Sequence, residues 1–301
     1  MERITVNDVG PRDGLQNDAS TVLPEDRVRL IESLLDAGLK SIEAASFVSP
    51  KAVPKMSGAD QVFAALDLEA ADFSALVPNM KGYELAKNAG ARSIAVVLSA
   101  TETMNQKNIN MGLDETVSVC KEIMAVAKRD GVTPRSYISV AIECPYEGLV
   151  SEQTIEELSA AMFKAGAQEV IVADTIGAGN PAQVKSLFTR LVSEFGATRL
   201  SGHFHDTRAM ALANTWQALE CGIRKFDASI AGLGGCPFAP GASGNLATED
   251  LVLMLNDAGF NTGIDLDKLL ESVELTRQLV QHPVGGRAMA YLTRDLEAAS
   301  G

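Results

Sequence analysis

The chain has 301 residues, and its formal net charge is −13 at pH 7. This excess of acidic residues argues against a nucleic-acid partner and against binding to an anionic membrane surface. No apolar run approaches the roughly 20 residues of a membrane span, so we expect no membrane segment. An anionic ligand would have to be held by local positive charge rather than by the charge of the whole chain.

The cysteines indicate a reducing compartment. They are far apart, at Cys120, Cys144, Cys221 and Cys236, and no two have the spacing of a paired metal site. The first three fit small, mostly buried hydrophobic residues of a reduced protein. The first predicted strand begins close to Met1 and leaves little room for a signal or transit peptide. We therefore expect a cytoplasmic protein.

Short β-like runs alternate with helical patterns from one end of the chain to the other. In the first helix, for example, Leu30, Leu34 and Ala37 recur at the spacing of one helix face. Glycines stand at or just past most of the helix ends. The predicted strands are 4–9, 41–47, 73–78, 93–99, 135–143, 169–174, 200–205 and 226–231. The predicted helices are 24–37, 58–66, 81–89, 114–129, 152–165, 182–195, 209–221 and 246–258.

Eight β–α units within about 260 residues favour an α/β fold of the (β/α)₈ TIM-barrel type over a doubly wound open sheet. We place the barrel at about residues 3–260 and treat residues 1–301 as a single domain, because no low-complexity linker divides the chain. Two further helical patterns, 266–280 and 286–296, form a C-terminal extension at about 264–298. These helices would cover the barrel or meet another subunit, and we expect a homo-oligomer.

A barrel of this type places catalytic groups at the carboxyl ends of its strands. Polar and reactive residues occur at those ends here, and they come from both halves of the chain. They are Arg12 and Asp13 at the first strand, Glu43 and Ser46 at the second, Asn79 at the third, Glu143 and Cys144 at the fifth, Asp174 and Thr175 at the sixth, and His203 and His205 at the seventh. A Gly-rich segment with Cys236 and Asn245 follows the eighth strand. These side chains would converge on one mouth.

Two histidines stand at i and i+2 in a predicted strand, so His203 and His205 point to the same side. Alone, the pair fits a metal site and a pair of hydrogen-bonded core histidines about equally well. The Gly-rich segment favours the metal site, since its backbone can approach a ligand closely. With Asp13 and Asn245, the donor set suits Mg²⁺ or Mn²⁺. By local sequence, Asp13 also fits a turn residue and Arg12 its ion-pair partner.

Several longer stretches carry a resemblance that covers nearly the whole chain. They are VGPRDGLQN at 9–17, SFVSPK at 46–51, KNIN at 107–110, CPYEG at 144–148, DTIG at 174–177, ALAN at 211–214 and GLGGCPFAPGASGN at 232–245. With them the chain resembles the hydroxymethylglutaryl-CoA lyase family, whose metal-dependent barrels act on carbon–carbon bonds beside a carbonyl. The resemblance implies a divalent cation bound by Asp13, His203, His205 and Asn245. It also implies cleavage of 3-hydroxy-3-methylglutaryl-CoA to acetyl-CoA and acetoacetate.

The same resemblance implies roles for three catalytic side chains. Arg12 would stabilise the negative charge that develops on the thioester oxygen. Glu43 would support Arg12 or the metal site. Cys236 would transfer a proton to the enolate carbon.

The implied partner is an acyl-CoA, and the resemblance places further residues against it. Gln16, Ser46 and Asp174 would contact the substrate. Lys107 and Asn108 would lie at the CoA end, whereas composition alone would assign these two residues to a solvated loop.

Some positions depart from the pattern of the family. Ile171 and Ala173 stand where Ser and Gly are expected, Glu143 replaces a small residue, and Arg208–Ala209 replaces an aromatic residue followed by Gly. Because several of these positions lie beside the expected substrate, they leave the identity of the acyl group open. Glu143 would either exclude a negatively charged substrate or pair with the arginine that follows the first strand.

Two alternatives therefore stand beside cleavage of 3-hydroxy-3-methylglutaryl-CoA. The first keeps the chemistry and changes the substrate to another 3-hydroxyacyl-CoA. The second is a non-catalytic acyl-CoA-binding paralogue, which has no need for a thiol such as Cys236 beside a metal site.

Overall fold

Eight parallel strands close into a barrel in the computed structural model, which describes residues 1–235 and 244–294. The strands are β1 (Thr5–Asp8), β2 (Ser41–Ser46), β3 (Asp72–Leu76), β4 (Ser93–Ser99), β5 (Thr133–Ser139), β6 (Glu169–Asp174), β7 (Leu200–Phe204) and β8 (Lys225–Ala228). Each pairs with the next, and β1 pairs with β8 from Thr5 beside Lys225 onward. The predicted (β/α)₈ TIM barrel is confirmed.

Helices surround the barrel and continue beyond its eighth strand. They are α1 (Pro24–Asp36), α2 (Ala59–Ala65), α3 (Met80–Asn88), α4 (Glu102–Ile109), α5 (Leu113–Arg129), α6 (Glu152–Ala165), α7 (Pro181–Phe195), α8 (Ala211–Glu220), α9 (Thr248–Asp257), α10 (Leu266–Val280) and α11 (Met289–Leu292). The last two form the expected C-terminal extension. Helix α10 packs against α1, where the hydroxyl oxygens of Ser33 and Ser272 lie 2.7 Å apart. None of the helices within the described ranges is both long enough and apolar enough to cross a membrane.

The main hydrophobic core lies between the strands and the helices, as α1 illustrates. Its apolar residues Leu30, Ile31 and Leu34 are fully buried against the barrel. Pro24 opens the helix, where a missing backbone N–H costs nothing, and the acidic side chains of its first turn interact favourably with the helix dipole. Burial of this apolar face is the main free energy that holds α1 in place.

Charged side chains fill the amino-terminal end of the barrel interior. Glu169 of β6 accepts a hydrogen bond from Lys225 of β8 at 2.6 Å and lies 3.2 Å from Nε of Arg135 of β5. Arg135 in turn pairs with Asp72 of β3. Because β6 and β8 are separated by β7, and β3 and β5 by β4, these side chains meet inside the barrel. The ion pairs close the end of the barrel opposite to the predicted site.

Strand β5 is shorter than the predicted strand 135–143. It ends at Ser139, because Val140 has a φ of 50° and the left-handed conformation does not continue a strand. The chain then forms a hairpin in which Glu143–Cys144 pairs antiparallel with Gly148–Leu149. The expectation that Glu143 ends a barrel strand is therefore wrong.

Helix α4 has no counterpart among the predicted helices, since its sequence ETMNQKNI lacks an apolar face of helical period. The buried side chain of Asn105 holds it to the end of β4. Its Oδ1 accepts from the backbone N–H of Ser99 at 3.0 Å, and its Nδ2 donates to the carbonyls of Ser99 at 2.7 Å and Thr101 at 2.8 Å. Together with the buried side chain of Met104, these hydrogen bonds dock the helix and bring Asn108 to the carboxyl end of the barrel.

Replacing Asn105 by Ala is expected to lower the free energy of unfolding by about 2 kcal/mol, because a buried backbone N–H loses its acceptor. Urea denaturation followed by circular dichroism measures the change. The control is Gln106→Ala, whose exposed side chain donates a hydrogen bond to Glu102 and should change stability by less than about 0.5 kcal/mol. Equal stability of the two variants would contradict the anchoring role of Asn105.

Candidate active site

Three potential metal ligands meet at the carboxyl end of the barrel. Asp13 lies in a short π-helical turn, Gly10–Gly14, that follows β1, while His203 lies in β7 and His205 just after it. One ligand atom from each of the three side chains lies within 4.8 Å of the other two. A carboxylate and two imidazoles at this separation could coordinate one divalent cation.

Asn245 completes the donor set. Its Nδ2 donates to Oδ2 of Asp13 at 2.8 Å and to the carbonyl of Leu233 at 3.0 Å. Its Oδ1 is buried and has no hydrogen-bond partner in residues 1–235 and 244–294, and the same is true of Nδ1 of His205. Buried polar atoms without partners are costly unless a ligand satisfies them. Gly234, with a φ of 115°, leaves room for the Asn245 amide, which a Cβ at that position would strike.

Each histidine keeps one ring nitrogen for a ligand, and the pKa values of the two rings shift in opposite directions. Burial lowers the pKa of His205 to about 3, so its imidazole is neutral and can donate a lone pair. Burial also disfavours the charged form of His203, but the hydrogen bond and the charge of Asp227 outweigh it and raise the His203 pKa. Nδ1 of His203 lies 3.0 Å from Oδ2 of Asp227, which leaves Nε2 of His203 for a ligand.

Asp227 is the centre of a buried hydrogen-bond network inside the barrel. Its Oδ1 accepts from Nδ2 of Asn7 at 2.8 Å, and its Oδ2 accepts from the hydroxyl of Tyr137 at 2.8 Å. Burial opposes ionisation of Asp227, but the hydrogen bonds from His203, Asn7 and Tyr137 prevail and lower its pKa. The carboxylate therefore fixes both the tautomer and the orientation of the His203 ring.

Arg12 is buried beside the metal ligands and is held on two sides. Its Nε and Nη2 donate to Oε2 of Glu43 at 2.9 and 2.6 Å, and its Nη1 donates to Oδ1 of Asp13 at 2.8 Å. The expected alternative pairing of Arg12 with Glu143 is wrong. Burial raises the pKa of Glu43, although Arg12 opposes the shift. Despite its own burial, Asp13 has its pKa lowered to about 2, chiefly by the positive charge of Arg12.

Arg12, Asp13 and the two histidines lie at the floor of a cavity of about 510 Å³. Arg12, Tyr137 and His203 line its buried end, and apolar side chains such as Leu76 and Val97 line its wall. The more exposed residues of the lining include Asn17, Lys55 and Asn108, which mark the mouth. The cavity thus joins a charged, buried floor to an open polar rim, which is a common form of a small-molecule site.

The other residues expected to contact a substrate lie at different depths. Gln16 and Asn108 line the cavity, and Oε1 of Gln16 is buried with no partner in the described part of the chain. Ser46 is buried and lies outside the lining, again with a hydroxyl that no described residue engages. Nζ of Lys107 lies 4.9 Å from the centre of the Tyr146 ring, also outside the lining. Cys236 falls outside the described residues.

The carboxylate of Asp174 is engaged by backbone rather than exposed to the cavity. Its two oxygens accept from the N–H groups of Ala178 and Gly179, both at 2.9 Å. Arg208 donates to the carbonyls of Gly177 at 2.9 Å and Gly179 at 3.1 Å, on the same loop. Asp174 and Arg208 therefore shape the loop that follows β6.

Ile171 and Ala173, which differ from the pattern of the family, both lie on β6. Ile171 packs in a small apolar cluster inside the barrel with Leu76, Ala95 and Tyr137. Ala173 lines the cavity. The β6 side of the site is consequently apolar, whereas Glu143 does not belong to the lining.

Asp227, Tyr137 and Lys55 are site residues that the sequence did not single out. Asp227 could have been identified from the sequence, because a carboxylate inside a short buried strand needs a hydrogen-bonding or charged partner there. Tyr137 and Lys55 carry no such signal, since a tyrosine in a strand and a lysine in a loop are common.

Known proteins with similar sequences and structures point to one family. The family model described as HMGL-like matches residues 3–276. The chain is 41% identical over 281 residues to the hydroxymethylglutaryl-CoA lyase of Pseudomonas mevalonii, covering 93% of each chain. It is 42% identical over 287 residues to that of Bacillus subtilis, covering 95% of this chain and 96% of the relative.

Solved structures agree with these sequence comparisons. The hydroxymethylglutaryl-CoA lyase of Pseudomonas aeruginosa superposes with a TM-score of 0.94 at 38% identity, over 98% of each chain. An HMG-CoA lyase from Acinetobacter baumannii, solved in complex with coenzyme A and 3-methylmalate, gives a TM-score of 0.91 at 37% identity, over 95% of this chain and 93% of that one.

Changing Asp227 to Asn is expected to weaken Mn²⁺ binding by about 10- to 100-fold, because His203 loses the carboxylate that orients it. Isothermal titration calorimetry with Mn²⁺ measures the affinity. The matched control is Tyr137→Phe, which removes one hydrogen bond to Asp227 and keeps the carboxylate. Unchanged Mn²⁺ affinity in Asp227→Asn would show that Asp227 does not support the metal site.

Proposed function

This chain belongs to the HMGL-like family, and on that premise we propose that it cleaves 3-hydroxy-3-methylglutaryl-CoA to acetyl-CoA and acetoacetate with a divalent metal ion. The observation that carries the proposal is the convergence of Asp13, His203 and His205 beside the buried guanidinium of Arg12. Relatives that are 41 and 42% identical over more than nine-tenths of this chain are hydroxymethylglutaryl-CoA lyases, which favours this acyl group over other 3-hydroxyacyl thioesters.

The reaction breaks the bond between C2 and C3 of the acyl group. C3 loses its hydroxyl proton and becomes the ketone carbon of acetoacetate, while C2 gains a proton and becomes the methyl group of acetyl-CoA. A divalent ion, when bound, would supply Lewis acidity that lowers the pKa of the tertiary hydroxyl. The remaining requirements fall on the residues of the cavity: to hold the thioester, to stabilise an enolate and to deliver a proton.

Arg12 is the residue best placed to stabilise the enolate. Its guanidinium is fixed by Glu43 and Asp13, so it needs no reorganisation when negative charge develops on the thioester oxygen. The burial of both Arg12 and Glu43 removes water that would screen this interaction. Glu43 acts on the substrate through Arg12, as a positioning residue.

We assign delivery of the proton to Cys236. The family resemblance supports this assignment, and Gly235, which precedes Cys236 in the sequence, lines the cavity. A thiol is a competent proton donor to carbon when it lies close to the enolate.

Three finer assignments complete the proposal. The donor set of one carboxylate, one amide and two imidazoles suits Mg²⁺ or Mn²⁺, because it leaves open positions for substrate oxygens. The unpaired Cys120, Cys144 and Cys221 support a cytoplasmic location. We also propose a homo-oligomer, which light scattering would measure.

The direct test is an assay of acetoacetate release from 3-hydroxy-3-methylglutaryl-CoA. We expect turnover with Mg²⁺ or Mn²⁺, and loss of turnover when EDTA removes the ion. Bound Mn²⁺ without acetoacetate release would overturn the substrate assignment. Release that persists in EDTA, with the metal content verified, would overturn the metal requirement.

Replacing Cys236 by Ala is expected to lower kcat by about 10²- to 10⁴-fold, the usual range for a lost general acid, without weakening Mn²⁺ binding. Stopped assays and Mn²⁺ titration measure the two quantities. Cys221→Ala is the control, because Cys221 lies beside Thr189 and the Lys185 carbonyl, between α7 and the end of α8. Wild-type turnover in Cys236→Ala would remove Cys236 from the mechanism.

A further inference from the structure

We propose that Lys55 binds a phosphate group of the CoA portion of the substrate at the mouth of the cavity. The inference rests on the proposed function, because it takes the ligand to be an acyl-CoA. It adds to the proposed site a substrate-binding residue that is neither a metal ligand nor Arg12.

Lys55 bridges two loops at the rim of the barrel. It lies in the 3₁₀ turn Pro54–Met56, between β2 and α2, and its side chain is partly buried. Its Nζ donates to the backbone carbonyl of Asp18, which lies beyond the turn that carries Arg12 and Asp13. Lys55 lines the cavity together with its neighbours Val53 and Pro54. The ammonium group is therefore held at the mouth rather than extended into solvent.

The charge of Lys55 has no counter-ion in the described part of the chain. Arg12 is the other cation that the described lining contains, and two carboxylates already engage it. The structure brings no carboxylate of residues 1–235 or 244–294 within ion-pair distance of Lys55. The carboxylate of nearby Asp18 is taken by His282, whose Nε2 lies 2.9 Å from Oδ2. An ammonium group has three N–H donors, so two remain for a ligand.

The position of Lys55 along the cavity selects the phosphate end of an acyl-CoA. The reacting carbons belong at the floor, beside Arg12 and the metal ligands, so the CoA arm leaves through the mouth. Lys107, which the family resemblance places at the CoA end, lies over the Tyr146 ring and outside the lining. Lys55 therefore supplies the cation that an acidic chain needs near a phosphate.

The first measurement compares wild type with Lys55→Met, which keeps the apolar stem and removes the charge. We expect KM for 3-hydroxy-3-methylglutaryl-CoA to rise about tenfold, the value of one charge-assisted hydrogen bond, with kcat within about twofold of wild type. Lys55→Arg should recover most of the lost affinity. Thermal unfolding of both variants verifies that they are folded.

Lys40→Met is the matched control. Its Nζ also donates to a backbone carbonyl, that of Ala70 at 3.4 Å, but it precedes β2 and lies at the opposite end of the barrel. Its KM should equal that of wild type. A KM for Lys55→Met that equals that of Lys40→Met would overturn the proposal.

Truncated substrates separate the phosphates of CoA from the free carboxylate of the acyl group. If Lys55 binds the 3′-phosphate, the Lys55→Met defect disappears with the 3′-dephospho-CoA thioester. If it binds the diphosphate, the defect persists there and disappears with the pantetheine thioester. A full defect with the pantetheine thioester would assign Lys55 to the acyl carboxylate and overturn the phosphate assignment.

Calorimetric titration with CoA separates this inference from the proposed reaction, because it requires no turnover. Weaker CoA binding by Lys55→Met than by wild type supports the inference, even if the acyl group proves to be different. Equal CoA binding by the two proteins overturns the role of Lys55 and leaves the lyase reaction intact. Absence of CoA binding by wild type overturns both.

Discussion

The arrangement of the rest of the site depends on the buried guanidinium of Arg12. A buried charge is tolerated only when it is paired and hydrogen-bonded, and Arg12 meets this condition through Glu43 and Asp13. Because the three residues come from the turn after β1 and from β2, the direct pairing of these two strands is what assembles them. Both partners of Arg12 are thereby fixed, and Asp13 presents an oxygen to His203 and His205.

The surplus of negative charge at the floor explains why a cation belongs there. The pKa values of Asp13 and Asp227 are lowered, so both carboxylates stay ionised, and Arg12 already shares its charge with Glu43. His205 does not offset the surplus, because its lowered pKa keeps it neutral, and His203, whose pKa is raised, is paired with Asp227. The buried Oδ1 of Asn245, which has no hydrogen-bond partner among the described residues, also indicates that a cation binds there.

The sequence predicted the parts of the molecule that depend on local periodicity. The alternation of strands and helices gave the barrel, and the rule that active residues follow strands brought Asp13 and the two histidines together. What it could not predict depends on contacts across the barrel: Asp227 and Tyr137 meet because β5 and β8 face each other, which no local pattern encodes. Helix α4 was not predicted for a similar reason, since the polar side chain of Asn105 anchors it.

The local charge is negative at the floor of the cavity and positive at its mouth. This distribution suits an acyl-CoA, although the net charge of the whole chain is negative. The carboxylate of Asp13 lies at the floor beside the buried pair of His203 and Asp227, where a cation would sit, whereas the ammonium of Lys55, which has no counter-ion in the described residues, lies at the rim. An acyl-CoA that entered with its phosphates first would bring like charges together at the floor, which is unfavourable in a poorly solvated site. Entry with the acyl group first would place the reacting oxygens beside Arg12 and the residues that would hold the metal, and would leave the phosphates outside. The electrostatics of the barrel therefore select the direction in which the substrate binds, in addition to the chemistry that it undergoes.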